Sequence, residues 1–132
     1  MSIEAGLYSA LVGDGVVAAN VGTRVYPETI PQEAVLPAIA YQVVAGQQKT
    51  AVGGGRQPGL STATVQVTIT AEAYSTAKEV EAAIRAWFPF RGFLGGRVEV
   101  FSGVIRSVVD GYGAQIESPT VRLDLWFLYS DP

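Results

Sequence analysis

Residues 65–88 change from one hydrophobic period to another, and no other part of the chain constrains the fold as strongly. In the first part apolar and polar residues alternate, which is typical of a strand with one buried face. The apolar residues of that face are Val65, Val67, Ile69 and Ala71. Apolar residues then recur at helical spacing, at Ala77, Val80, Ile84, Trp87 and Phe88. We expect a strand followed by an amphipathic helix, which Ser75 or Thr76 caps and Pro89 ends.

Hydrophobic periodicity in the rest of the chain predicts a small number of further helices and strands. Further strands are expected at residues 37–44, 97–109 and 120–129, with a brief one at 24–26, and short helices at 3–12 and 14–22. The glycine-containing segment 90–96 is predicted as a turn. The sum predicts an α+β fold. A mostly antiparallel sheet of about four strands would carry one long helix and the short N-terminal helices on one face.

Residues 46–61 are predicted to form a long loop, because five of these sixteen residues are glycine and one is proline. Loops of this length in a compact domain are usually functional. The expected organisation is a single domain over residues 1–132 that carries this loop. Its candidate interface residues are Lys49, Gly53, Gly54, Gly55 and Arg56.

The composition narrows the classes of function. Charged residues make up 16% of the chain, against about 25% in an average globular domain. We therefore expect partners to cover part of the surface. The chain has no cysteine and no histidine, so disulfides, thiolates, imidazole ligands and histidine bases are excluded.

The charge distribution argues against binding to nucleic acid, and the length of the apolar segments argues against crossing a membrane. The net charge is −3, and the nine basic residues are scattered rather than clustered. No segment approaches the apolar length of a membrane span, and the first residues lack a basic signal-peptide region. We expect the protein to be made and to fold in a cytoplasm.

Three short motifs match catalytic or cofactor signatures in letters only. Gly13-Asp14-Gly15 with Ala18 follows a helical pattern instead of a strand, so a junction between two helices is the better interpretation. Gly53-Gly54-Gly55-Arg56 could hold an anion but precedes a strand. Ser75 and Lys78 match the S-x-x-K motif of penicillin-recognising acyl enzymes, but the S-D-N and K-T-G motifs that accompany it in those enzymes are absent from the sequence. The acidic residues form no isolated pair, and we expect no enzyme, cofactor or metal.

Trp126 and Leu128 stand on the polar-patterned side of the last predicted strand. Two interpretations remain open for them. They could pack under a second buried layer of the same chain, or they could form a patch that another subunit covers. They complete the set of candidate interface residues.

Four segments of the chain match, in order, segments of a known family. They are I-E-A-G-L-Y-S-A-L-V-G-D with V-G-T-R-V-Y-P, P-A-I-A-Y-Q-V-V, A-E-A-Y-S-T-A-K-E-V-E-A-A-I-R-A-W-F and V-R-L-D-L-W-F. On these segments the chain resembles the tail-completion (tail terminator) proteins of long-tailed bacteriophages and phage-like particles.

The resemblance implies a structural virion protein without catalytic activity. Such a protein forms a hexameric ring that caps the tail tube, ends its polymerisation and joins the tail to the head-side connector, while DNA passes through the lumen. The implied partners are further copies of the chain, the major tail tube protein and the head-side connector (stopper) protein. The implied place is the tail neck of the virion, after assembly in the host cytoplasm. Two alternatives remain, a head–tail connector (stopper) ring protein and a small ligand-binding or enzymatic α+β domain.

Overall fold

The computed structural model describes residues 3–31, 34–49, 59–96, 98–113 and 118–131. Within these ranges the chain forms three helices and six strands. The helices are α1 (Ile3–Gly13), α2 (Gly15–Val21) and α3 (Tyr74–Arg85). The strands are β1 (Val25–Pro27), β2 (Ala38–Lys49), β3 (Gly59–Thr70), β4 (Phe90–Leu94), β5 (Val98–Gly113) and β6 (Ser118–Asp131).

The described strands form one mixed sheet in the order β1-β2-β3-β6-β5-β4. The short strand β1 runs parallel to β2, and every other neighbouring pair is antiparallel. Strands β3 and β6 lie at the centre and pair in continuous register from Gly59↔Asp131 to Thr70↔Thr120. The sheet therefore depends on contacts between residues that are far apart in the sequence.

The core lies on one face of this sheet, where the helices pack. The alternating apolar residues of β3 and β6 point to this face, and they are Ala63, Val65, Val67, Ile69, Val121, Leu123, Leu125 and Phe127. Helix residues complete the core, among them Leu7, Leu11, Val17, Val21, Val80 and Ile84. The ring of Phe127 fills the space beside Gly103, where an added Cβ would lie 3.1 Å from its Cδ1. Burial of these side chains supplies the main stabilisation of the fold.

Asp14 joins two helices, as the sequence predicts. Its Oδ1 accepts hydrogen bonds from the amides of Val16 and Val17, so it caps the N-terminus of α2. Its Oδ2 accepts a hydrogen bond of 2.8 Å from the indole N–H of Trp87, just beyond α3. The motif Gly13-Asp14-Gly15 with Ala18 therefore lies at a junction between two helices, and Asp14 also connects that junction to α3.

The predicted fold class is wrong in two respects. The described sheet has six strands and is mixed rather than four-stranded, and no helix is long, since α1 has 11 residues and α3 has 12. The glycines of segment 90–96 predict a turn, but the turn is confined to Gly95 and Gly96, and β4 forms over Phe90–Leu94 by pairing with β5. Strand β1 runs parallel to β2, the strand that follows it along the chain.

Two local predictions are corrected as well. The N-cap of α3 is Ala73, without a side-chain hydrogen bond, so neither Ser75 nor Thr76 caps this helix. The expected loop at 46–61 is shorter at both ends, because β2 continues to Lys49 and β3 begins at Gly59. Antiparallel pairing between these two consecutive strands overrides the low strand propensity of their ends.

Candidate interaction surfaces

The sheet face opposite the helices is a candidate contact surface, and we call it the open face. No described helix packs across it. Its central residues are Thr62, Thr64, Gln66 and Thr68 of β3, Val104 of β5, and Trp126 and Leu128 of β6. The predicted alternation of β6 is thus confirmed, and Trp126 and Leu128 lie side by side on the face away from the core.

Trp126 is the largest side chain of the open face. It is half-buried between Thr64 of β3 and Val104 of β5. The guanidinium of Arg106 lies over the indole, 5.3 Å from the ring centroid. This cation–π contact holds the ring against the sheet. Leu128 is flanked in the same way by Thr62 and Ser102.

The other predicted interface residues lie elsewhere. Lys49 is the last residue of β2. Gly53, Gly54, Gly55 and Arg56 lie outside the described residues, so their place at an interface stays a prediction. The structure brings Trp126 and Leu128 together on β6.

A cleft of about 400 Å³ lies between the end of α1 and strand β4. Trp87, Phe90 and Phe93 line it together with Asp14. Phe93 is 64% exposed, which is unusual for a phenylalanine. The sequence does not predict this cleft, because the glycines of residues 90–96 favour a turn there. The clustering of four aromatic residues, Trp87, Phe88, Phe90 and Phe93, within seven positions was the available signal.

A charged cluster joins the start of α3 to β5. The Tyr74 hydroxyl donates a 2.6 Å hydrogen bond to Asp110, and the Lys78 ammonium lies 3.3 Å from the same carboxylate. The hydrogen bond to Asp110 raises the pKa of Tyr74, and the bond from Tyr74, helped by Lys78, lowers the pKa of Asp110. The cluster ties α3 to the sheet, and these exposed groups all have partners.

Further along α3, Glu81 is a buried acid. Its side chain is 3% exposed and pairs with Arg85 and, at 3.9 Å, with Lys78. Among the described residues no group of three or more acidic, histidine or cysteine side chains is placed to hold a metal ion. No helix in those ranges is long and apolar enough to cross a membrane.

At each lateral edge of the sheet, part of a long strand has no pairing partner among the described residues. On one side β1 pairs with β2 only at Ile39–Tyr41, so residues 42–49 of β2 have no described neighbour beyond them. On the other side β4 pairs with β5 only up to Gly103, so residues 104–113 are equally open. We call these segments the β2 edge and the β5 edge. Unpaired strand edges present rows of free N–H and C=O groups, which can pair with another chain.

Comparison with known proteins finds a similar fold in a solved structure and a matching protein family. The fold is similar to that of a chain in a solved structure described as "Virion of native gene transfer agent (GTA) particle". The TM-score is 0.71 at 17% sequence identity, and the match covers 98% of this chain and 95% of that chain. Among curated proteins there is no match.

The family model described as Tail completion protein gp17 matches residues 5–94. The chain therefore belongs to this tail completion family, and the resemblance seen in the sequence is confirmed. It is a structural protein of phage tails. The family match ends at β4, so β5 and β6, which carry Arg106, Trp126 and Leu128, lie beyond it.

Proposed function

We propose that this chain forms a ring, most simply a hexamer, that caps the tail tube, ends its polymerisation and joins the tail to the head-side connector. The observation that carries the proposal is the family match over residues 5–94. The structure supports it with a sheet whose helices cover one face and whose other face carries the half-buried side chains of Trp126 and Leu128. A chain with 16% charged residues can bury such surfaces against partners at a small desolvation cost.

The charge of the chain suits a lumen through which DNA passes. Each copy carries −3, so a hexamer would carry a formal charge of about −18. A negative ring repels phosphate, and DNA would slide through it without being held. The proposed partners are further copies of the chain, the tail tube protein and the head-side connector protein, at the neck of the particle.

We propose that the open face, with Trp126 and Leu128, meets one of these partners. The loop residues Gly53, Gly54, Gly55 and Arg56, with Lys49 at the end of β2, are proposed as a second contact, with the tube. A stopper ring on the head side is the second candidate function, because the same surfaces would serve a ring in either position.

Assembly of tail tubes from purified tube protein, with and without this chain, tests the proposal. Wild-type chain should stop tube growth and appear as a ring at tube ends in electron micrographs. Leu128→Asp should fold normally but fail to cap, because a carboxylate would be buried in the contact. Ala82→Asp adds the same charge to the exposed side of α3 and should cap normally. If wild-type chain binds isolated heads and never tube ends, the stopper function replaces the terminator function.

A further inference from the structure

The β2 edge and the β5 edge lie on opposite sides of the sheet and are long. The β2 edge spans residues 42–49 and the β5 edge spans residues 104–113. Proteins normally blunt such edges with charges, prolines or a covering element. The β2 edge contains one charged residue, Lys49, and no proline; the β5 edge contains Arg106 and Asp110 and no proline. Asp110 is already paired with Lys78.

The two edges run in opposite directions. Strand β2 is antiparallel to β3, β3 is antiparallel to β6, and β6 is antiparallel to β5. Three reversals leave β2 and β5 antiparallel to each other. A second copy in the same orientation would therefore present its β2 edge antiparallel to the β5 edge of the first. Antiparallel pairing is also the more stable arrangement per residue.

The exposed apolar residues of the two edges match. Val44 is 51% exposed on the β2 edge, and Val109 is 44% exposed on the β5 edge. Three antiparallel registers pair all eight residues of the β2 edge, and they place Val44 opposite Val109, Asp110 or Gly111. In the register that sets Val44 opposite Gly111, the β5 edge ends opposite Gln42 and does not meet the residues of β2 that β1 covers. Val44 and Val109 are then diagonal neighbours across the contact, about 7–8 Å apart.

We propose that copies of this chain join head to tail by strand addition, the β2 edge of one copy pairing with the β5 edge of the next. This inference rests on the proposed ring and names the contact that closes it. The contact is heterologous, because each copy uses one edge toward each neighbour, and such contacts generate rings. The occupant of each edge is a second copy, since one molecule carries both complementary halves.

The positions of the edges also set the tilt of the strands. The β2 edge lies at the end of the sheet where β4 covers β5, and the β5 edge lies at the end where β1 covers β2. A neighbour that pairs edge to edge is therefore shifted along the strands. In a closed, level ring this shift requires strands that are inclined to the ring axis.

Site-specific crosslinking tests the pairing directly, because the chain has no cysteine of its own. Tails would be assembled with Val44→Cys, Val109→Cys, an equal mixture of the two, or the double variant in place of the wild-type chain. They would then be treated with a short bismaleimide. The double variant should give a covalent ladder extending beyond dimers, the mixture should give dimers only, and each single variant should remain monomeric on denaturing gels.

A matched control uses Val16 on α2, which is 46% exposed and lies on no sheet edge. The Val16→Cys and Val109→Cys double variant should give no ladder. The proposal is overturned if the Val44 and Val109 double variant is present in tails but stays monomeric. It is also overturned if Val109→Cys alone gives dimers, which would show a two-fold contact between β5 edges. If wild-type chain is missing from purified tails, the proposed function itself fails, whatever the crosslinks show.

Discussion

At the scale of single residues, the turn between β4 and β5 offers a matched pair of glycines. Gly95 and Gly96 both have positive φ, +60° and +70°. A methyl group on Gly95 would overlap the carbonyl oxygen of Gly6 and lie 2.7 Å from Cβ of Ser9, whereas one on Gly96 would meet nothing within 4 Å. The first position thus combines backbone strain with a clash against α1, and the second has strain alone.

We expect Gly96→Ala to lower the free energy of unfolding by about 1 kcal/mol, the cost of left-handed backbone for a residue with a Cβ. Gly95→Ala should cost about 1–3 kcal/mol more, because α1 must shift away from the turn. Urea unfolding of both variants measures the difference. Equal losses would show that α1 moves freely and that the close approach of Gly6 and Gly95 has no energetic weight.

Asp14 gives a pH-dependent prediction at the same scale. Burial alone would raise the pKa of Asp14, but hydrogen bonds from the Trp87 indole and from the amides of Val17 and Val16 hold the pKa below its ordinary 3.8. Asp14→Ala should therefore lower the free energy of unfolding by about 1–2 kcal/mol at neutral pH.

A group with a lowered folded-state pKa stabilises the fold above its unfolded pKa and loses that effect as pH falls through the folded value. The difference between wild type and Asp14→Ala should thus shrink as pH falls below 3.8. Denaturant unfolding from about pH 7 down to about pH 3 measures it. Asp14→Asn keeps an acceptor for the helix amides but cannot ionise. The free energy of unfolding of this variant should therefore lack the pH-dependent contribution of the Asp14 carboxylate. A constant difference between wild type and Asp14→Ala would contradict the ionic role.

At the scale of elements, α3 carries an asymmetric ion pair. Glu81 is buried, while Arg85 has a side chain that is 55% exposed. Without Arg85, the buried carboxylate of Glu81 keeps only Lys78 as a nearby cation. Without Glu81, by contrast, the cations Lys78 and Arg85 remain in contact with solvent. We expect Arg85→Ala to cost about 1–2 kcal/mol, and to cost clearly less in a Glu81→Gln background. A double-mutant cycle by thermal unfolding measures the coupling; a coupling of zero would show that water already satisfies Glu81.

The elements also show which parts of the fold the sequence predicts. Strands β3 and β6 and helix α3 have clear local periods, so their existence and the buried faces of the two strands were predicted correctly. In α3 the apolar residues Ala77, Val80 and Ile84 are buried as expected, but the periodicity does not predict the burial of Glu81. Strand β4 was missed because Gly92, so close to the turn glycines Gly95 and Gly96, favours a longer turn, and only pairing with β5 makes residues 90–94 a strand. The positions of Trp126 and Leu128 followed from alternation alone. The two open edges did not, because an edge is defined by the strands that fail to reach it.

At the scale of the whole molecule, the chain lacks any side chain that ordinarily titrates near neutral pH. It contains no histidine and no cysteine. The shifted groups move away from neutrality, since the pKa values of Tyr41, Tyr74 and Lys78 are raised and those of Asp14 and Asp110 are lowered. From the composition we therefore expect the net charge, apart from the α-amino group, to change little between about pH 6 and about pH 9. We expect Tm and the assembly of rings to be constant over that range.

A single substitution should introduce the missing pH dependence. In Lys78→His the imidazole would stand near the carboxylates of Asp110 and Glu81, which favour its protonated form and raise its folded-state pKa above the unfolded value of about 6.5. Its stabilising effect is full below that unfolded value and is lost as pH rises through the folded pKa. The Tm of Lys78→His should thus fall between about pH 6.5 and about pH 8, while Lys78→Gln should follow the flat profile of the wild type. A sloping wild-type profile would instead reveal a titrating group in residues that the structure does not describe.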